Sequence, residues 1–106
     1  MNTCAVAGKI VNGPNWVGEG KVVKFTIATK YKFGEESGQE GISYVPCTIF
    51  NPGLSFRDLI ESKEKLFCRG VGRVSKSSYE DRNGKVIYST DVILNPGTVV
   101  LSEVEN

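Results

Sequence analysis

The sequence predicts an all-β domain, a small barrel of five strands with one short helix between the third and fourth strands. Three observations lead to this fold class. The 106 residues fit one domain over residues 1–106. Twelve glycines and four prolines are spread along the chain, which is typical of short strands joined by turns. Apolar residues recur at every second position in several segments, as they do in half-buried strands.

Two strands are predicted in the first third of the chain, at residues 4–11 and 21–30. The first segment is small or apolar except for one lysine, and Gly8 within it indicates a bend or a bulge. Residues 12–20 hold turn-forming glycines and asparagines around a lone Trp16, so we expect a loop there. In the second strand the alternate residues are apolar, which predicts one core face and one outer face.

A third strand is predicted at residues 43–50, after a segment at 31–42 that is rich in glycine and glutamate and has no core pattern. The alternate residues that begin at Val45 form a natural core face. The opposite face carries two aromatic residues, Tyr44 and Phe50. Because a protein without a partner seldom exposes such side chains together, this face is a candidate contact surface.

The second half of the chain contains the helix and the remaining strands. Apolar residues spaced i, i+3 and i+4 predict a short amphipathic helix over 54–62, after an Asn-Pro-Gly turn. Strands four and five are predicted at 65–76 and 85–94, and the Asn-Gly pair in 81–84 predicts the hairpin turn between them. A last extended segment follows at 98–101.

Five strands with a helix between the third and the fourth match the order of the OB-fold, a small Greek-key barrel. An SH3-like barrel or an open five-stranded sheet also fits the periodicity, but neither accounts as well for the helix. In the OB-fold, the outer face of strands two and three and the loops after strands one and four bind oligonucleotides or oligosaccharides. The second and third predicted strands are therefore the place to look for a binding surface.

The composition excludes most enzyme classes. The chain contains no histidine, which removes Ser-His-Asp and Cys-His nucleophiles, zinc sites with histidine ligands and imidazole acid-base chemistry. Its three cysteines lack a CxxC pair, so neither a disulfide framework nor a zinc knuckle is indicated. We expect no catalytic residue, no metal and no cofactor. The chain also shows no membrane-length apolar run and no signal-peptide start, which predicts a cytoplasmic protein.

The net charge of +1 conceals an uneven distribution. Residues 1–33 hold five lysines and one glutamate, and residues 63–85 hold seven basic and three acidic residues, so each segment carries +4. Residues 34–62 carry −4 and residues 86–106 carry −3. A mixed, solvated surface is one interpretation; the other is that the fold brings both basic segments to one face. The candidate phosphate contacts are Lys24, Lys30, Lys32, Arg69, Arg73 and Lys76.

Over residues 4–101 the chain resembles bacterial single-stranded DNA-binding proteins. No single motif carries the resemblance; an ordered set with compatible spacing does. The set consists of Ala28-Thr29 at the end of strand two, Ser43-Tyr44 and Ile49-Phe50-Asn51 at the ends of strand three, Arg69-Gly70-Val71-Gly72-Arg73 in strand four and Tyr88-Ser89-Thr90-Asp91-Val92 in strand five.

The resemblance implies a non-enzymatic protein that coats single-stranded DNA with little sequence preference during replication, recombination or repair. It also implies association with the nucleoid and a homotetramer built from dimers. In that family aromatic side chains stack on bases, and lysines and arginines follow the phosphates. The matching aromatic positions here are Phe33, Tyr44, Phe50 and Tyr79.

The chain departs from the family pattern in three ways. Phenylalanine or tyrosine stands where tryptophan is usual at stacking positions, and Pro46 stands where a basic residue is common. The sequence ends at Asn106, without the long linker and the acidic tip that recruit partners in the family. Two alternatives therefore stay open: a dimeric OB protein similar to primosomal replication protein N, which docks onto replication proteins, and an OB-fold module for protein–protein contacts.

Overall fold

The computed structural model describes residues 2–32, 40–62 and 65–104. Five strands close into a ring in the order β1-β2-β3-β5-β4, and β1 pairs with β4 to complete it. This architecture confirms the predicted barrel with its helix between the third and fourth strands. The elements are β1 (Cys4–Val17), β2 (Val22–Lys32), β3 (Glu40–Phe50), α1 (Leu54–Ser62), β4 (Leu66–Glu80), β5 (Val86–Leu94), a 3-10 helix (Pro96–Thr98) and β6 (Val100–Glu103).

Strand β1 is longer than the sequence predicts, because the segment expected to be a loop pairs with β2. Trp16 lies opposite Val23 in this antiparallel ladder. The pairing register shifts twice between Ile10 and Asn15, so the turn-forming residues are accommodated as irregularities within the strand. The predicted loop at 12–20 was therefore wrong over most of its length, and a turn remains only between β1 and β2.

Strand β4 also extends beyond its predicted end, whereas β5 agrees with its predicted bounds to within one residue. They form a long antiparallel hairpin in which Glu80 pairs with Val86. The predicted turn at 81–84 is confirmed: the Asp81 carboxylate accepts hydrogen bonds from the backbone N–H groups of Asn83 and Lys85, at 2.9 Å each. The last segment forms the 3-10 helix and β6, a sixth strand that pairs with the start of β4.

The core lies inside the ring and consists of the alternate residues that the period-two pattern assigns to it. Ile27 and Ile49 are fully buried, and Phe56 of α1 packs against Phe25 with ring centroids 6.3 Å apart. The helix thus closes one end of the barrel. The buried apolar residues are Val23, Phe25, Ile27, Cys47, Ile49, Ile60, Leu66, Cys68, Val92 and Leu94.

Helix α1 is held against the end of β1 by a cluster around Trp16. The Trp16 indole N–H donates a hydrogen bond to the Glu61 carboxylate. The guanidinium of Arg57 lies over the indole ring, 4.2 Å from its centroid, and also donates to the carbonyl oxygen of Gly20. Trp16 is therefore an anchor for the helix rather than an exposed loop residue. No helix in the described residues has the length and hydropathy needed to cross a bilayer.

Gly72 of β4 lies opposite Leu94 of β5, with the β5 backbone close to its Cα atom. A Cβ atom at this position would overlap the backbone carbonyl of Ile93, which is part of the facing strand and has little room to move. We expect Gly72→Ala to lower the free energy of unfolding by about 1 to 3 kcal/mol, the usual cost of overpacking. Urea unfolding measures this. The matched control is Gly53→Ala, because a Cβ at Gly53 meets no atom within 4 Å; an equal loss in both variants would contradict the prediction.

The two buried thiols face the core and are chemically protected. Burial raises the pKa of Cys47 to about 12 and that of Cys68 to about 11. Both thiols stay protonated near neutral pH in the folded protein, whereas the thiolate is the reactive form. Since the unfolded chain releases these protons at lower pH than the native protein, the two thiols reduce stability as pH rises above about 9.

We expect Cys4, which is half-buried, to be the only thiol that reacts rapidly with a disulfide reagent in the native protein. All three cysteines should react after unfolding in denaturant. Spectrophotometric titration at about pH 8 counts the reactive thiols in the native protein and in the unfolded protein. Cys4→Ala should leave no rapidly reacting thiol, and rapid native-state labelling of Cys47 or Cys68 would show that the barrel opens.

Candidate nucleic-acid interface

The outer face of β2 and β3 carries two exposed aromatic side chains. Tyr44 is 63% exposed and Phe50 is 47% exposed, and both lie on the face opposite the buried Cys47 and Ile49. In the β2–β3 register Tyr44 lies opposite Ala28, whose side chain is too small to cover the ring. The two aromatic rings are therefore available to a partner, on the face that the alternation in β3 predicts.

Two lysines lie on the same outer face of β2. Lys24 is opposite Thr48, and Lys30 is opposite Ile42, in the β2–β3 register. Both lysines are exposed. Basic and aromatic side chains thus alternate across two neighbouring strands, which is the combination that single-stranded nucleic acids bind.

A polar network lies between these two strands and β5. The Thr48 hydroxyl donates to Asp91 Oδ2 at 3.1 Å, and Lys24 Nζ lies 3.3 Å from Thr48 Oγ1 and 3.4 Å from Asp91 Oδ2. Asp91 comes from β5, which pairs with β3 in parallel. The network explains how Thr48 is 3% exposed although it lies on the outer face. The exposed ion pair contributes little to stability, because solvent screens it.

A groove of about 270 Å³ crosses this outer face. By the β2–β3 register it passes at the level of Pro46 and Thr26, between the positions of Tyr44 and Phe50. Most of its polar side chains are hydroxyls and amides contributed by three strands. These are Asn12 and Asn15 of β1, Thr26 of β2 and Ser89 of β5, together with the charged pair Lys24 and Asp91.

The expected convergence of the basic residues is only partial. Arg73 lies opposite Ile93, on the outer side of the β4–β5 pair, with β5 between it and β3. Arg69 lies opposite Ala7 of β1 and Val100 of β6, so the structure places it on a different part of the barrel surface. Strand β1 thus lies between Arg69 and β2, and the proposed phosphate contact of Arg69 stays a prediction.

Lys76 lies on the other face of the β4–β5 hairpin. Lys76 and Val74 are two residues apart in β4, so they lie on the same face of the hairpin. Val74 is opposite the buried Val92, and Lys76 therefore lies on the face that continues from the core, beyond the barrel. Its ammonium lies 5.7 Å from the ring centroid of Tyr88, which is 67% exposed. Tyr88 is an exposed aromatic side chain that the sequence reasoning did not assign to a surface. Counting back from Val92 in steps of two would have placed it on this face.

The structure does not describe the side chains of three residues that were predicted to contact nucleic acid. Phe33 lies outside the described residues. Lys32 ends β2 and lies opposite Glu40, and Tyr79 lies opposite Ile87 in the hairpin, but their side chains are outside the description. Their proposed contacts stay predictions.

No protein-family model matches the chain. Two bacterial proteins are similar to it in sequence. Single-stranded DNA-binding protein 2 of Listeria monocytogenes is 26% identical over 98 residues, which cover 88% of this chain and 59% of that protein. A single-stranded DNA-binding protein of Lactiplantibacillus plantarum is 24% identical over 110 aligned positions, covering 100% of this chain and 54% of that protein. The chain thus spans little more than half the length of these relatives.

Two solved structures share the fold. The Plasmodium falciparum SSB in complex with ssDNA superposes with a TM-score of 0.69 at 14% identity, over 99% of this chain and 96% of that one. A small single-stranded DNA binding protein from Mycoplasma pneumoniae superposes with a TM-score of 0.65 at 16% identity, over 100% and 98%. These superpositions show the OB-fold. In sequence and in fold the chain is similar to single-stranded DNA-binding proteins, which confirms the resemblance predicted from its motifs.

Proposed function

We propose that the protein binds single-stranded DNA with little sequence preference and catalyses no reaction. The observation that carries this proposal is the outer face of β2 and β3, where exposed Tyr44 and Phe50 lie beside exposed Lys24 and Lys30. The similarity to proteins named for single-stranded DNA binding supports it independently.

Each part of this face suits a flexible, unpaired strand. Every base has a π-face, so stacking on an exposed ring contributes about 1 to 3 kcal/mol per base without reading the sequence. Lysine ammonium groups neutralise phosphates and release counterions, which makes binding depend on salt. A duplex keeps its bases stacked inside, so it offers the two rings no base face. The proposed mechanism therefore favours single strands over duplexes.

We propose the family's wider roles for this protein as well: coating of exposed strands during replication, recombination or repair, in the cytoplasm and at the nucleoid. Replication or primosome proteins are the proposed protein partners. Similarity to the two bacterial relatives supports these roles, although the chain spans 59% and 54% of their lengths.

The central test removes the aromatic rings one at a time. We expect Tyr44→Ala and Phe50→Ala each to weaken binding of oligo(dT) by about five- to a hundredfold, since each loses the stacking free energy of one base. Phe67→Ala is the matched control, because it removes an exposed aromatic ring from the part of β4 that pairs with β1 and β6. Fluorescence anisotropy with labelled oligo(dT), and with a duplex of the same length as competitor, measures affinity and strand preference.

Two results would overturn the proposal. One is preference for the duplex by the parent protein. The other is unchanged oligo(dT) binding by Tyr44→Ala and Phe50→Ala together with a changed oligomer size, which would assign these rings to a protein–protein interface instead. Thermal unfolding of every variant shows that the losses do not arise from the fold, because both rings lie outside the core.

We also propose that the protein forms a homo-oligomer, a tetramer built from dimers or a single dimer. Support comes from the surface where β1, β4 and β6 meet. There, Ala5, Ala7, Val71 and Val100 line an apolar groove of about 490 Å³ together with Arg69. A surface of small and apolar residues permits close packing of a second copy, and closed symmetry is the usual outcome for identical chains.

Light scattering over a range of concentrations tests the oligomer. We expect the mass of a dimer or tetramer, and Ala7→Lys should shift it toward the monomer by placing a second positive charge opposite Arg69 on this surface. Thr3→Lys, which adds the same charge at an exposed position before β1, is the control. A parent protein that stays monomeric at every concentration contradicts this proposal without affecting the test of DNA binding.

A further inference from the structure

Asp91 places a negative charge in the middle of the surface proposed to bind a polyanion. It lines the groove on the outer face of β2 and β3, and its side chain is 24% exposed. Both of its contacts, from Thr48 and Lys24, go to Oδ2. No described residue hydrogen-bonds the second carboxylate oxygen, Oδ1. The carboxylate therefore remains accessible while it holds the lysine.

A DNA strand that engages both rings passes the groove that this carboxylate lines. Tyr44 and Phe50 are six positions apart on β3, which corresponds to about 20 Å at the rise of a β-strand. Two adjacent stacked bases do not span such a distance, so intervening nucleotides lie over the groove. Of the two exposed lysines described on β2, Lys24 lies nearer the middle of this path, opposite Thr48 in the register.

We propose that Asp91 restrains DNA binding: it holds Lys24 in an ion pair and keeps a phosphate from using that lysine at full strength. This inference rests on the proposed function. A phosphate that approaches Lys24 either displaces the carboxylate or shares the ammonium with it, and each of these costs part of the phosphate's attraction. Asp91 thus keeps the affinity for DNA below the value that the same lysines and aromatic rings would give without it.

Asp91→Asn tests the inference with little structural change. The amide oxygen of asparagine still accepts the hydrogen bond from Thr48, while the negative charge is removed. With Lys24 free to neutralise one more phosphate, the slope of log affinity against log salt should become steeper by about 0.7. At about 50 mM salt this corresponds to oligo(dT) binding about five- to tenfold tighter than in the parent protein.

Two controls isolate the effect. Asp58→Asn removes the same charge from exposed α1, away from the groove, and should leave both the affinity and the slope close to the parent values. In the Lys24→Met background, which keeps the aliphatic stem but has no ammonium, Asp91→Asn should gain no more than about twofold, because the lysine it would release is absent. Isothermal titration calorimetry at several salt concentrations measures the oligo(dT) affinity of each variant and the slope of log affinity against log salt.

The outcomes separate the inference from the proposed function. Weaker binding by Asp91→Asn, at unchanged thermal stability, would show that the carboxylate positions Lys24 for the phosphate instead of restraining it. An unchanged affinity, or a full gain that persists with Lys24→Met, would also overturn the inference. The absence of oligo(dT) binding in the parent and in all of these variants would instead reject the proposed function.

Discussion

Closure of the ring by β1 is the constraint on which the rest of the structure depends. This strand pairs with β4 along its first half and with β2 along its second half, changing partner at Lys9. The neighbouring Gly8 makes this possible, since a Cβ there would overlap the backbone carbonyl of Ala28. The absence of a side chain lets the two strands approach where the chain bends. All other elements are arranged around this closed path.

Ring closure also explains how the outer surface is divided. Because the strands curve around one core, residues that follow one another in the chain face different directions in space. Strands β2 and β3 share one outer face with Lys24, Tyr44 and Phe50, whereas Arg69 lies beside β1 and β6. The hairpin of β4 and β5 extends beyond the core, so both of its faces are open. A contact surface on this barrel is therefore confined to neighbouring strands.

Local pattern was sufficient to predict the alternation in β2 and β3, the helix at 54–62 and the hairpin turn, since each depends on residues close together in sequence. It was insufficient for the end of β1, where pairing with β2 overrides the turn preferences of residues 12–15. Nor does local pattern show that Arg69 lies beside β1 and β6, because the net charge of a segment does not indicate which strands will flank it in the closed ring. The Lys24–Thr48–Asp91 network joins three strands, and no local signal indicates such a contact.

The packing of Trp16 has a consequence for spectroscopy. It is the one tryptophan of the chain, and its indole is hydrogen-bonded to Glu61 and covered by Arg57 of α1. Its emission therefore reports whether the helix remains docked on the barrel. Intrinsic fluorescence thus follows folding at the helix end of the molecule.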